Sequence, residues 1–99
     1  MNTRDEIVAF LKENRQLLLS QYRVTRTGLF GSFARNEQDS SSDVDMLIEL
    51  EDDTKNINNL KNSLKIYLSD AFERSVDLAR EKYLKTYAKE QILKDTLYV

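Results

Sequence analysis

The chain has 99 residues, of which 32% are charged and 40% hydrophobic, and its formal charge is −2. It contains no Cys, His, Pro or Trp and only two Gly. This excludes a disulfide framework, a thiol nucleophile, a Ser-His-Asp triad and a His-ligated zinc. It also excludes a GxGxxG dinucleotide loop, and no Gly-Lys pair completes a Walker A loop. Any catalysis must therefore use carboxylates, hydroxyls, Lys, Arg and backbone N–H groups, a set that usually acts with a hard cation such as Mg²⁺.

The length predicts a single domain over residues 1–99. The longest apolar run, Ile7 to Leu11, is far shorter than the ~20 residues of a membrane span, and the polar N-terminus does not resemble a signal peptide. We therefore expect a cytoplasmic protein without a membrane contact. The slightly acidic charge also speaks against direct nucleic-acid binding, which needs a basic surface.

The first half of the chain is predicted to contain two helices and one strand. Thr3 and Glu6 have the spacing of a capping box, and apolar residues then recur at helical spacing. In chain order we expect a helix over residues 4–20, a strand over Val24–Phe30, a short helix capped by Ser32 that runs through Arg35, and a polar loop over residues 36–42. Of the two glycines, Gly28 indicates a strand irregularity.

The second half alternates strands with helices. Val44 to Leu50 has the strict alternation of a strand, with Val44, Met46, Ile48 and Leu50 on one face. After it we expect a helix over residues 56–72, a strand over Ser75–Ala79, a helix over Tyr83–Lys94, and either an edge strand or core packing for residues 97–99. The order predicts an α/β or α+β fold, a sheet with helices mainly on one side.

Three acidic residues lie in or beside the predicted strands. Asp43 and Asp45 are two positions apart and would point to one face, about 6.5–7 Å from each other. Asp77 interrupts an apolar strand and would face the same side if the two strands are neighbours. A divalent cation would offset the desolvation and repulsion of such carboxylates. The alternative is that the strand begins at Val44 and leaves both Asp43 and Asp45 in the preceding loop.

Gly31 and Ser32 mark a second candidate site, where a strand ends and a helix begins. Free N–H groups and the positive end of the helix dipole favour an anion there, and Gly lets a phosphate approach the backbone. An ordinary strand-to-helix turn with a Ser cap is the alternative. Together with the carboxylates, this turn describes a site for a nucleoside triphosphate and two Mg²⁺ ions.

The segment Gly31-Ser32-Phe33-Ala34-Arg35, followed by seven residues and Asp43-Val44-Asp45, resembles the GSxAR…DxD signature of the DNA polymerase β-like nucleotidyltransferases. The flanking residues are similar to its minimal, MNT-type branch. This resemblance implies the minimal nucleotidyltransferase fold, an α+β, two-layer fold that has a small mixed sheet with helices mainly on one face. One departure is Asn36, where the family usually has Gly; Asn is the other residue that best tolerates a left-handed backbone.

The resemblance implies the transfer of AMP from ATP to a hydroxyl. Gly31 and Ser32 would bind the β- and γ-phosphates, and Asp43, Asp45 and Asp77 would be the catalytic, metal-binding carboxylates, with Asp77 also helping to deprotonate the hydroxyl. Arg35 would either neutralise phosphate charge or pair with an acidic neighbour to fix the loop.

The resemblance also implies a partner. MNT proteins resemble the antitoxins of HEPN–MNT toxin–antitoxin pairs, in which the antitoxin AMPylates a tyrosine of a HEPN RNase toxin. The alternatives are a non-catalytic antitoxin that acts by complex formation, and a small-molecule nucleotidyltransferase. Three tyrosines near the C-terminus are expected to be core or rim residues, or else part of a docking surface: Tyr83, Tyr87 and Tyr98.

Overall fold

A computed structural model describes all residues from 1 to 99. In chain order, the elements are α1 (Arg4–Glu13), α2 (Arg15–Tyr22), β1 (Val24–Phe30), α3 (Gly31–Ala34), β2 (Val44–Leu50), α4 (Ile57–Phe72), β3 (Val76–Ala79), a 3₁₀ turn (Glu81–Tyr83), α5 (Thr86–Asp95) and β4 (Leu97–Tyr98). None of these helices combines the length and the apolar character needed to cross a membrane.

The four strands form one mixed sheet in the order β3-β2-β1-β4. β1 is antiparallel to both of its neighbours, β2 and β4. β2 and β3 are parallel, as the crossover through α4 requires. The expected α+β fold with a small mixed sheet is confirmed.

The hydrophobic core lies on one face of the sheet, where α1, α2 and α4 pack. The predicted stripe of β2 is buried there, with Val44 and Met46 fully covered and Ile48 1% exposed. Helix α4 adds Leu64, Leu68 and Phe72. The carboxylates of Asp45 and Asp77, which alternate with buried residues of β2 and β3, project from the opposite face.

Two predicted helices differ from those in the structure. The helix expected over residues 4–20 breaks at Asn14, whose side-chain amide donates to Phe10 O at 2.9 Å and so competes with the helical hydrogen bonds. The helix expected from Tyr83 begins only at Thr86, because Leu84 and Lys85 are extended. In both cases the apolar spacing continues across the break, so it does not reveal the break.

Gly28 lies in regular pairing, opposite Leu47 and Tyr98. The irregularity of β1 lies between Val24 and Arg26 instead, so the prediction for Gly28 is wrong. A Cβ atom at Gly28 would lie 2.7 Å from Thr96 Cγ2 and 3.1 Å from Tyr98 Cδ1. The glycine therefore lets the C-terminal segment lie against β1.

Candidate active site

The turn after β1 brings the backbone of Gly31 against the carboxylate of Asp45. Gly31 has a φ of +74°, and a Cβ atom there would overlap Asp45 Oδ2 and lie 3.1 Å from Asp45 Cγ. Any side chain at position 31 would thus be strained and would displace the carboxylate. The predicted phosphate turn and the first predicted carboxylate strand are in direct contact.

Ser32 does not cap α3, contrary to the prediction. The N-cap is Phe30 and the helix begins at Gly31, which places Ser32 inside the first turn. A helix of four residues has little macrodipole, so the anion-binding capacity of this turn rests on backbone N–H groups and the Ser32 hydroxyl. Asn36 has a φ of +60°, the left-handed conformation expected where relatives carry Gly.

The carboxylates of Asp45 and Asp77 lie on neighbouring strands. Asp45 pairs with Phe30 across β1 and with Asp77 across β3, and adjacent strands are about 4.8 Å apart. Asp43 lies just before β2 and is exposed. The strand thus begins at Val44, but it leaves only Asp43 outside, rather than both residues. Gly31, Asp45 and Asp77 form a row across one face of the sheet.

The electrostatics of this row favour a cation. Partial burial, then the charges of Asp77 and Asp43, raise the pKa of Asp45, and Arg35 offsets this only in part. No three acidic side chains are arranged, as they stand, to hold a metal ion. Asp43 and Asp77 are exposed and can change rotamer, and an all-oxygen donor set suits Mg²⁺. The residues therefore fit this ion.

Arg35 makes two ion pairs. Its Nε lies 3.0 Å from Glu37 Oε2 and its Nη1 lies 3.4 Å from Asp95 Oδ2. The second pair joins the end of α3 to the end of α5. These contacts match the second role predicted for Arg35, in which it pairs with acidic neighbours and fixes the loop. The positive charge of Arg35 also acts to lower the pKa of Asp45.

Arg74 supports the site, and the sequence gives no indication of it. Its guanidinium donates to Ser42 O at 2.8 Å, to Asp39 O at 3.0 Å and to Met1 O at 2.8 Å. Ser42 directly precedes Asp43, so Arg74 fixes the entry to β2. The same loop is closed locally by the Asp39 carboxylate, which accepts hydrogen bonds from Ser41 and Ser42; these bonds lower its pKa.

The tyrosines near the C-terminus are not core residues. Tyr83 and Tyr87 are 70% and 86% exposed, and Tyr98 is 36% exposed. Tyr98 packs under the Arg26 guanidinium, 3.6 Å from the ring centroid. Tyr98 is thus a rim residue, whereas the other two project into solvent.

A glycine turn beside carboxylates on adjacent strands of a small mixed sheet fits the nucleotidyltransferase class. Residues 6–99 match the model of the nucleotidyltransferase domain family, and the chain belongs to this family. The sequence resemblance to the nucleotidyltransferases is confirmed, and the protein is a nucleotidyltransferase enzyme.

Curated relatives share the whole length of the chain. MJ0126 of Methanocaldococcus jannaschii, named as a candidate protein adenylyltransferase, is 35% identical over 100 residues, all of both chains. The protein adenylyltransferase MntA of Thermococcus cleftensis is 30% identical over 99 residues, which are 100% of this chain and 98% of MntA. The curated homologues are thus protein adenylyltransferases by name.

Solved structures share the fold. A minimal nucleotidyltransferase superimposes with a TM-score of 0.77 at 25% identity, over 96% of this chain and 94% of that one. A toxin–antitoxin structure with AMP-PNP superimposes with a TM-score of 0.65 at 23% identity, over 96% of this chain and 70% of that one. The structure of a tri-AMPylated Shewanella oneidensis HEPN toxin in complex with an MNT antitoxin superimposes with a TM-score of 0.57 at 21% identity. The match covers 96% of this chain and 66% of that one. The two complexes, at this identity, establish the fold alone.

Proposed function

We propose that this protein is a Mg²⁺-dependent protein adenylyltransferase that moves AMP from ATP to a tyrosine hydroxyl of a HEPN RNase toxin and acts as its antitoxin. The observation that carries the proposal is the contact between Gly31 and the Asp45 carboxylate, in a row with Asp77. The names of the relatives support AMP as the transferred group. The toxin–antitoxin complexes of the same fold support a HEPN partner.

Each site residue has a role in this proposal. The turn at Gly31 and Ser32 binds the β- and γ-phosphates through backbone N–H groups and the Ser32 hydroxyl. Asp43, Asp45 and Asp77 bind Mg²⁺. When bound, the metal supplies positive charge to the phosphate oxygens and lowers the pKa of the attacking hydroxyl. Arg35 keeps α3 and its turn in place through Glu37 and Asp95.

The transfer is an in-line substitution at the α-phosphorus. The tyrosine oxygen forms a bond to that phosphorus, and the bond to the oxygen bridging the α- and β-phosphates breaks. The bridging oxygen leaves with its electron pair as part of pyrophosphate. Asp77 accepts the hydroxyl proton, either directly or through one water. Asp77 is exposed, so an acceptor has free access to it.

The test is labelling of a partner by α-³²P-ATP. The wild-type protein, with Mg²⁺ and host lysate, should label one protein, and mass spectrometry should place AMP on a tyrosine. The double variant Asp43→Asn/Asp45→Asn should fold and abolish labelling. Asp52→Asn/Asp53→Asn, which removes the same charge from an exposed turn after β2, is the matched control and should label normally.

Two results would contradict the proposal. Undiminished labelling by Asp43→Asn/Asp45→Asn would place the site elsewhere. Binding and inhibition of a toxin without any labelling would identify a non-catalytic antitoxin.

A further inference from the structure

A basic groove lies beside Asp77 at the β3 edge of the sheet, on the far side of Asp77 from Gly31. One part, of about 360 Å³, lies between α4 and β3. A second part, of about 300 Å³, shares two residues with the first and continues toward the 3₁₀ turn. We call it the α4 groove; besides Asp77 it is lined mainly by Asn58, Lys61, Asn62, Lys65, Arg80 and Tyr83.

The cations of the α4 groove have no acidic partner. All four ion pairs of the structure are made by Arg4, Arg23 and Arg35, so none involves a groove residue. Arg80 Nε is buried and has no hydrogen-bond partner, and the Arg80 guanidinium lies over the ring of Tyr83 rather than beside a carboxylate. Lys61 and Lys65 are four residues apart on α4 and repel each other. An anionic ligand would satisfy all three side chains.

The position of the groove indicates which anion it binds. In the proposed function, the triphosphate lies at Gly31 and Ser32, on the other side of Asp45 from the groove. The attacking hydroxyl must approach Asp77, which accepts its proton. The groove beyond Asp77 therefore lies on the side from which the hydroxyl, and the polypeptide that carries it, would approach.

We propose that the α4 groove binds an acidic segment of the acceptor protein next to the modified hydroxyl. The inference rests on the proposed function and adds a specificity determinant to it. Lys61, Lys65 and Arg80 would pair with carboxylates of that segment, and the amides of Asn58 and Asn62 would hydrogen-bond its backbone. Tyr83, which is 70% exposed, provides an aromatic wall at the far end, beside Arg80.

The test compares two artificial acceptors, a random copolymer of Glu and Tyr and one of Lys and Tyr. With α-³²P-ATP and Mg²⁺, we expect kcat/KM for AMP transfer to be at least tenfold higher for the Glu–Tyr copolymer. In Lys61→Glu/Lys65→Glu, kcat/KM for the Glu–Tyr copolymer should fall at least tenfold. In the wild type, the preference for this copolymer over the Lys–Tyr copolymer should weaken with added salt. Release of AMP from ATP onto water, without acceptor, should be unchanged.

The matched control is Lys12→Glu/Lys94→Glu, which makes the same charge change at two exposed lysines outside the groove. It should transfer AMP to the Glu–Tyr copolymer within about twofold of wild type. An equal loss in both double variants would overturn the inference, because net charge alone would explain it.

The remaining outcomes separate the inference from the proposed function. Equal transfer to both copolymers would overturn the inference alone. Absence of AMP transfer to any acceptor and to water would overturn the proposed function, and the inference with it. A single-stranded oligonucleotide could inhibit AMP transfer more strongly than polyglutamate does. If that inhibition were lost in Lys61→Glu/Lys65→Glu, the groove would be assigned to nucleic acid and the inference overturned.

Discussion

The two ends of the site differ in how firmly the protein holds them. At one end, Asp45 packs against Gly31 and Arg35 is fixed by two ion pairs. At the other end, Asp77 is exposed and the cations of the α4 groove have no acidic partner. A preorganised end loses little freedom when it binds a small ligand, which suits a nucleotide. The open end is suited to a partner that brings its own complementary groups.

The largest effect is expected at the open end, from Asp77→Asn. Loss of a general base lowers turnover by about 10²–10⁴-fold, while the affinity for ATP should be nearly unchanged because the nucleotide lies at the Gly31 end. Single-turnover transfer and equilibrium nucleotide binding measure the two quantities separately. Asp70→Asn, on the exposed surface of α4, is the control. Wild-type turnover in Asp77→Asn would make Asp77 a scaffold residue.

At the preorganised end, Gly31→Ala should damage both the fold and the chemistry. The strained φ costs about 1–3 kcal/mol, and the new Cβ displaces the Asp45 carboxylate. Urea unfolding and AMP transfer should both detect the change. Gly28→Ala is the matched control, because it meets the side chains of Thr96 and Tyr98. Gly28→Ala should lower the free energy of unfolding but leave AMP transfer largely intact. An equal loss of transfer in both variants would show that activity does not depend on the contact between Gly31 and Asp45.

A smaller effect concerns the pH dependence of stability. Because the pKa of Asp45 is raised above its ordinary value of 3.8, its ionisation lowers the free energy of unfolding as pH rises through the folded-state pKa. Asp45→Asn should therefore raise Tm at pH 7 without divalent ions, because it removes the ionisation that the fold disfavours.

Two controls sharpen this comparison in a thermal-shift experiment. The gain in Tm should disappear below pH 3.8, where the carboxyl is protonated in both states. Mg²⁺ should raise the Tm of the wild type and not that of Asp45→Asn. A lower Tm for the variant at pH 7 would mean that the carboxylate stabilises the apo fold.

The smallest effect distinguishes the two roles of Arg35. Its ion pairs lie at the surface, where solvent screening leaves such pairs a small contribution to stability. If Arg35 only fixes the loop, Arg35→Gln and Asp95→Asn should lower stability by similar small amounts and leave KM for ATP unchanged. A higher KM in Arg35→Gln alone would show that the guanidinium contacts phosphate.

The parts of the fold that depend on near neighbours could be predicted from the sequence. The capping box forms as expected, with Glu6 N donating to Thr3 Oγ1 and Thr3 N donating to Glu6 Oε1, both at 3.1 Å. The alternation of β2 correctly indicated that Val44, Met46 and Ile48 are buried, although Leu47 on the other face is buried as well. In the site, the sequence indicated Gly31 and Asp45 as separate candidates, and their contact depends on the antiparallel pairing of β1 with β2.

Features that depend on distant residues could not be predicted. Arg74 joins groups 32 to 73 positions away, and no local pattern indicates such contacts. Asp45 lies beside Asp77 because β2 and β3 are adjacent. The sequence does not show this adjacency, so the prediction for Asp77 had to assume it. The α4 groove arises where a helix and a strand edge meet, so its lysines look in sequence like an ordinary solvated helix face.

The strand lengths have a consequence for how the molecule behaves at high concentration. The central strands have seven residues each, whereas the edge strands β3 and β4 have four and two. Long open edges are templates for intermolecular pairing and fibril growth, and short ones offer few backbone groups in register. The edge strands themselves therefore offer a second copy of the chain few backbone groups with which to extend the sheet.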